Sequence, residues 1–141
     1  MWKSSRLHNL NNRMVKSFVV SAVFPRDPQE LYDAWLDSKQ HSKMTGAKAR
    51  VSNKVGGSFH AWDGYISGRN LILQADKRIV QSWRTSEFSD DEVDSQIEVT
   101  FEPVRNGTKL VLRHTKLPSH GEIYEQGWED SYFVPMREYF K

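Results

Sequence analysis

From Val15 to Phe24, apolar residues recur with a period of two. Phe18, Val20, Ala22 and Phe24 share one face, while Val19 and Val23 make the other face partly apolar. This pattern predicts a strand, which Pro25 ends. The period then changes. Asp27 can cap a helix, Pro28 suits its first position, and Glu30 stands where a capping box needs it. Leu31, Ala34 and Trp35 follow at helical spacing, giving a short helix with one apolar face. Asp37-Ser38 opens a second short helix that closes at Thr45-Gly46.

From about Ala47 to Thr115 the chain reads as an antiparallel meander. Gly56-Gly57 makes a turn or a bulge. Asp63-Gly64 predicts a tight type I′ hairpin turn, because both central residues of that turn need positive φ. Tyr65–Gln74 is one long strand; Ala75-Asp76-Lys77 turns the chain into Arg78–Thr85. An acidic stretch (Glu87, Asp90, Asp91, Glu92, Asp94) reads as a loop. Beyond it, Val93, Ser95, Ile97, Val99 and Phe101 alternate with polar residues, as a strand with one wet face does. Asn106-Gly107 predicts a second hairpin into Thr108–Thr115, where Leu110, Leu112 and His114 share a face.

Pro118 ends the sheet, and Ser119-His120-Gly121-Glu122 has the pattern of a capping box. The final helix carries Tyr124, Trp128, Tyr132 and Met136 at four-residue intervals, with Gly127 and Ser131 beside them. Pro135 is expected to kink it near its end, since it removes one helical hydrogen bond and crowds the carbonyl of Ser131. The order of strand, two short helices, six strands and long C-terminal helix predicts an α+β helix-grip fold. In it, an antiparallel sheet of six or seven strands curves around the last helix. Such folds often leave a cavity between sheet and helix.

Length and composition narrow the possibilities. The chain has 141 residues, the size of a single domain, read here as a leader over residues 1–13 and a domain over 14–141. There is no cysteine, which excludes disulfides and thiolate chemistry. No segment approaches the roughly 20 apolar residues of a membrane span, and the N-terminus lacks the apolar core of a secretory signal. These features point to a cytoplasmic protein. Charge is uneven. Residues 1–60 hold ten Lys/Arg against four Asp/Glu, and residues 61–141 hold ten against fourteen. The run Lys39, Lys43, Lys48, Arg50 and Lys54 is either a solvated face or a docking surface for an acidic protein. No aromatic interleaving accompanies it, which argues against nucleic acid.

Candidate chemistry is sparse. Trp35, Phe59, Trp62, Tyr65, Trp83, Trp128 and Tyr132 come from the first helix, the sheet and the last helix, and either fill a core or line an apolar pocket with polar handles. Arg69 and Arg84 are either exposed strand residues or a clamp for the polar end of a ligand. His114, on the face of Leu110 and Leu112, is either a hydrogen-bonded core histidine or a general acid/base. No His/Asp/Glu spacing suggests a metal, and no glycine-rich loop suits a phosphate. Nothing calls for a cofactor.

Six blocks carry a resemblance. They are Gly56-Gly57-Ser58-Phe59; Trp62-Asp63-Gly64-Tyr65-Ile66-Ser67-Gly68-Arg69-Asn70-Leu71; Ile79-Val80-Gln81-Ser82-Trp83-Arg84; Asn106-Gly107-Thr108-Lys109-Leu110; His114-Thr115-Lys116-Leu117-Pro118; and Gly127-Trp128. In this order, over roughly residues 14–141, the sequence resembles the domain family named for the activator of the ninety-kilodalton heat-shock protein ATPase. That family lies within the START-like, or SRPBCC, superfamily. The resemblance implies the helix-grip fold with its cavity, and a heat-shock chaperone as partner. Its better-studied eukaryotic members are co-chaperones that pair this domain with a separate N-terminal domain, for which residues 1–13 are too short. Elsewhere in the superfamily the cavity binds lipids, hormones or polyketides, and some members are enzymes. Three expectations follow: a non-catalytic module for a small hydrophobic or amphipathic ligand, a co-chaperone surface, or an enzyme using His114.

Overall fold

The computed structural model describes residues 17–141. The leader expected over residues 1–13, and the first residues of the strand expected from Val15, lie outside the described residues. Seven strands form one antiparallel sheet: β1 (Phe18–Phe24), β2 (Arg50–Val51), β3 (Ser58–Ala61), β4 (Ile66–Gln74), β5 (Arg78–Thr85), β6 (Ser95–Val104) and β7 (Gly107–Thr115). Their spatial order is β1-β7-β6-β5-β4-β3-β2, so the first strand crosses to the far edge and the rest meander. Two helices, α1 (Pro28–Trp35) and α2 (Ser38–Thr45), fill the β1–β2 connection. The Asp27 carboxylate accepts from the Glu30 N–H and the Asp37 carboxylate from the Gln40 N–H, so each helix starts where its cap dictates. Gly46 ends α2 in the left-handed conformation, at φ 82°.

Strand alternation sends one face inward. Phe18, Ala22 and Phe24 of β1, Ile79, Trp83 and Thr85 of β5, Ile97, Val99 and Phe101 of β6, and Leu110, Leu112 and His114 of β7 are all buried. The helices cover this face. The other face keeps Arg78, Glu98 and Arg113 in a cross-strand ion-pair ladder.

Three elements depart from the sequence reading. The β3–β4 connection is a four-residue loop closed by the Ala61–Ile66 pair, not a two-residue turn at Asp63-Gly64. Trp62, Asp63 and Gly64 all have positive φ, and Gly64 N–H and Tyr65 N–H donate to Ala61 O and Trp62 O. Two overlapping left-handed turns thus replace one, and a tryptophan takes a conformation usually left to glycine. Secondly, the last helix starts at Ile123 rather than at Ser119; its N-cap residue is Glu122, which makes no side-chain cap.

Thirdly, this helix is not continuous. α3 (Ile123–Trp128) and α4 (Val134–Tyr139) are joined by a π-helical turn over Glu129–Phe133. Pro135 has no N–H to give Ser131, the next N–H back reaches five residues from Val134 to Glu129 O, and the helix widens. Arg137 spans the widened turn with both guanidinium nitrogens on the Glu129 carboxylate, at 2.8 and 3.3 Å.

Gly68 shows how closely the strands approach beside this hairpin. A Cβ there would lie 1.8 Å from Ser82 O and 2.7 Å from the Phe59 ring, whereas one on Gly64 would meet nothing within 4 Å. Gly68→Ala must move backbone and is expected to cost about 2–3 kcal/mol. Gly64→Ala meets only the left-handed backbone penalty of about 1 kcal/mol. Urea melts of the two variants check this order, and an equal or reversed ranking would contradict the packing described.

Candidate functional site

Between sheet and helices, where the fold class would hold a ligand, buried rings meet one another. Trp35 of α1 stacks on Trp128 of α3 with centroids 6.3 Å apart and planes 25° from parallel. Trp128 in turn meets Trp83 at 5.5 Å and Tyr132 at 4.8 Å, and Trp83 meets Tyr124 at 5.0 Å and His114 at 4.5 Å. All of these side chains are buried. Each such ring removed from water contributes on the order of 2–3 kcal/mol, provided its polar tip finds a partner.

The tips of Trp35, Trp128, Tyr124 and Tyr132 find partners. The Trp128 indole N–H donates to His114 Nδ1 at 3.1 Å. That nitrogen therefore carries the lone pair and Nε2 carries the proton, which it donates to Ser95 Oγ at 2.9 Å. The Ser95 hydroxyl donates in turn to Trp83 O at 2.7 Å. A serine and a histidine in contact suggest a nucleophile and its base, but here the proton runs from imidazole to hydroxyl, and the hydroxyl proton is held by a carbonyl. Neither ring nitrogen of His114 is free to take a proton, and burial pushes its pKa down to about 3. His41 is a second case. Its Nδ1–H donates to Trp35 O at 2.8 Å and its Nε2 accepts from the Tyr132 hydroxyl at 2.6 Å. Burial lowers its pKa to about 4 and raises that of Tyr132.

A third line of hydrogen bonds leads out of the core. The Trp35 indole N–H donates to Gln81 Oε1 at 3.3 Å, and Gln81 Nε2 donates to Asn70 Oδ1 at 2.8 Å. Asn70 Nδ2 then forks to Ser52 O and Lys54 O, at 2.8 and 3.0 Å. The Asn70 backbone bonds the same loop, accepting from Gly56 N–H and donating to Gly57 O, and Arg69 Nη1 adds a bond to Gly56 O. The Gly56-Gly57 and Gly68-Arg69-Asn70 blocks are thus two sides of one device. It pins the loop of residues 52–57 to the sheet.

The structure brings together Trp35, Trp83, His114, Trp128 and Tyr132 from the set read in the sequence. Phe59 is buried nearer the β2 edge, while Trp62 and Tyr65 are half-buried at the hairpin loop. The Tyr65 hydroxyl donates to Glu87 Oε2 at 2.9 Å. Arg69 and Arg84 stand on the outer face of the sheet, away from these rings. Arg84 holds the acidic loop, donating to Glu92 O, Ser89 O and Asp94 Oδ1 with its guanidinium over Phe88. Lys39, Lys43, Lys48, Arg50 and Lys54 are all exposed along α2 and the β2 edge. The residues missed were His41, Asn70, Gln81, Ser95 and Tyr124. Gln81 carried a signal, being a polar residue at an inward position between Ile79 and Trp83. Among the described residues no three His, Asp or Glu side chains could together hold a metal ion, and no helix is long and apolar enough to cross a membrane.

The two buried histidines make stability depend on pH. Unfolded, each titrates near 6.5; folded, near 4 and 3. Between those values the unfolded chain holds protons that the folded chain refuses. Their contribution is therefore complete above about pH 6.5 and is lost as pH falls. At pH 5 the expected loss is about 2 kcal/mol per histidine. Urea melts at pH 7.5 and 5.0 measure it, and His114→Asn should remove about half of the difference; an undiminished difference would show that His114 is not its source.

Comparison with known proteins agrees with this architecture. The family model described as activator of Hsp90 ATPase homolog 1-like protein matches residues 25–141. The human activator of 90 kDa heat shock protein ATPase homolog 1 is 30% identical over 119 residues, which is 84% of this chain and 35% of that protein. A Dictyostelium discoideum activator homologue is 29% identical over 119 residues, 81% of this chain and 30% of its own length. The chain thus spans about a third of these relatives. Among solved structures, PFC0360w, described as an HSP90 activator from Plasmodium falciparum, superposes with a TM-score of 0.81 at 25% identity. That match covers 89% of this chain and 96% of the other. CalU16 from Micromonospora echinospora shares the fold, with a TM-score of 0.70 at 22% identity over 88% of this chain and 74% of its own. With the START-like helix-grip architecture and a match over most of its length, the chain belongs to the activator of Hsp90 ATPase homolog 1-like family.

Proposed function

We propose that this chain is a non-catalytic domain that works from its outer surface, docking on an Hsp90-type chaperone and raising its ATPase rate. One observation carries the reading: Trp35, Trp83, Trp128, Tyr124 and Tyr132 are buried against one another between sheet and helices, and the polar tips of Trp35, Trp128, Tyr124 and Tyr132 are bonded to neighbours. Ring packing of this kind favours a protein partner over a guest molecule. The similarity to an HSP90 activator of nearly the same extent supports which partner that is.

The same packing weighs against a small hydrophobic or amphipathic ligand held between sheet and helix. Such a ligand would have to part stacked indoles and break the hydrogen bonds that hold them. Arg69 and Arg84, suggested as a clamp for its polar end, bond to Gly56 O and to the acidic loop instead. An enzyme using His114 is disfavoured because both ring nitrogens are engaged away from solvent.

The test is a chaperone ATPase assay. Adding the purified domain to an Hsp90-type chaperone is expected to raise steady-state ATP hydrolysis severalfold, saturably. An unchanged rate at concentrations that saturate binding would overturn the proposal. In parallel, a hydrophobic dye such as anilinonaphthalene sulfonate should leave tryptophan emission unaltered. Stoichiometric dye binding with a shift in that emission would restore the ligand-binding reading.

A further inference from the structure

Acidic residues are absent from one stretch of the chain, and more than half of the described Lys and Arg side chains are in no ion pair, among them Arg69, Lys77, Arg105, Lys109 and Lys116 outside that stretch. Arg26, Arg78, Arg84, Arg113, Arg137 and Lys141 each sit against a carboxylate. Lys39, Lys43, Lys48, Arg50 and Lys54 pair with none among the described residues, and the chain from Ser38 to Trp62 contains no Asp or Glu. These five cations are also held in place. Ser38 Oγ accepts from Val51 N–H at 2.8 Å and Ser42 Oγ from Ala49 N–H at 2.8 Å, so α2 is laced to the β2 edge by its own hydroxyls. Asn70 fixes the Lys54 loop, as described above.

An apolar spot lies beside these cations. Gly56 N–H donates to Asn70 O at 2.8 Å, so Val55 and Leu71 flank a single hydrogen bond. Val55 is 65% exposed and Leu71 44%. An exposed loop valine and an exposed strand leucine brought together by that bond, on the edge that also carries these exposed cations, have the composition of a protein-docking face. Four of the five cations are lysines, point charges without the planar fork suited to phosphate.

We propose that this face, with Val55 and Leu71 as its apolar anchor and Lys39, Lys43, Lys48, Arg50 and Lys54 as its rim, docks on an acidic protein surface. The inference rests on the chaperone-docking reading and names where that partner is held and by what chemistry. The rim speeds encounter and makes it sensitive to salt. The anchor slows departure.

The experiment measures association and dissociation rates of the full chain on an Hsp90-type chaperone at several salt concentrations. Lys43→Glu/Lys54→Glu is expected to slow association about tenfold and flatten its salt dependence. Val55→Asp should raise the dissociation rate about tenfold. Lys109→Glu/Lys116→Glu, on β7 and just beyond it, should change either rate less than about twofold. Every replaced side chain is exposed, so melting temperatures verify that each variant folds. If the wild type binds and the rim and anchor variants match it, the docking face is overturned while the chaperone reading stands. If the wild type does not bind even at low salt, both fall. Binding to anionic vesicles or RNA with the same salt slope, and none to the chaperone, would replace the acidic protein by a phosphate polyanion.

Discussion

A buried indole N–H needs an acceptor, and this fold depends on how it supplies one to Trp35 and one to Trp128. Leaving such a group unpaired costs about 1–3 kcal/mol, a large share of the stability of a domain this size. Trp35 finds Gln81 and Trp128 finds His114. Each partner needs a partner in turn, so the requirement spreads. From Trp35 it passes through Gln81 to Asn70 and ends on the carbonyls of a surface loop. The hydrogen bonds of the core thereby fix the shape of the exterior.

This coupling engages every ring nitrogen of the two buried histidines. A catalytic imidazole must be able to gain and lose a proton within reach of a substrate. His41 and His114 have both nitrogens committed, one proton each, to neighbours that cannot be exchanged without unpicking the ring cluster. The acidic loop and the basic edge are treated differently. The first is tied down by Arg84 and by the His120–Glu92 contact, while the second is laced through its backbone yet leaves its charges unpaired among the described residues.

Much of the architecture was legible in the sequence because its signals are local. The caps Asp27 and Asp37, the stop at Gly46, and the alternation from Ser95 to Phe101 each need only a few neighbouring residues to act. Features resting on distant partners were not legible. Nothing adjacent to Trp62 announces a left-handed tryptophan; its loop is fixed by Lys48 on one side and Ser86 on the other. His114 could be placed on the inward face, but whether it was free depended on Trp128 and Ser95, 14 and 19 residues away. Arg69 and Arg84 show the opposite limit. Their outward direction follows from strand parity, because each neighbours an inward residue, and the sequence carried that signal.

The π-helical turn bears on the spacing of the last helix. An α-helix rotates about 100° per residue, so side chains four apart drift by about 40° at each step. Tyr124, Trp128, Tyr132, Met136 and Phe140 repeat at that interval, and a uniform winding would carry the stripe away from the sheet before it reached Phe140. All five are nonetheless buried. The slower winding over Glu129–Phe133 resets the phase midway, returning the second half of the stripe to the face of the first. Taking one residue out of this turn would leave intervals of four, three, four and four, the ordinary period of an amphipathic helix. The chain thus carries one residue more than its apolar stripe requires. The turn before Pro135 is where that residue is stored, and where a difference in helix length could be absorbed without disturbing the core on either side.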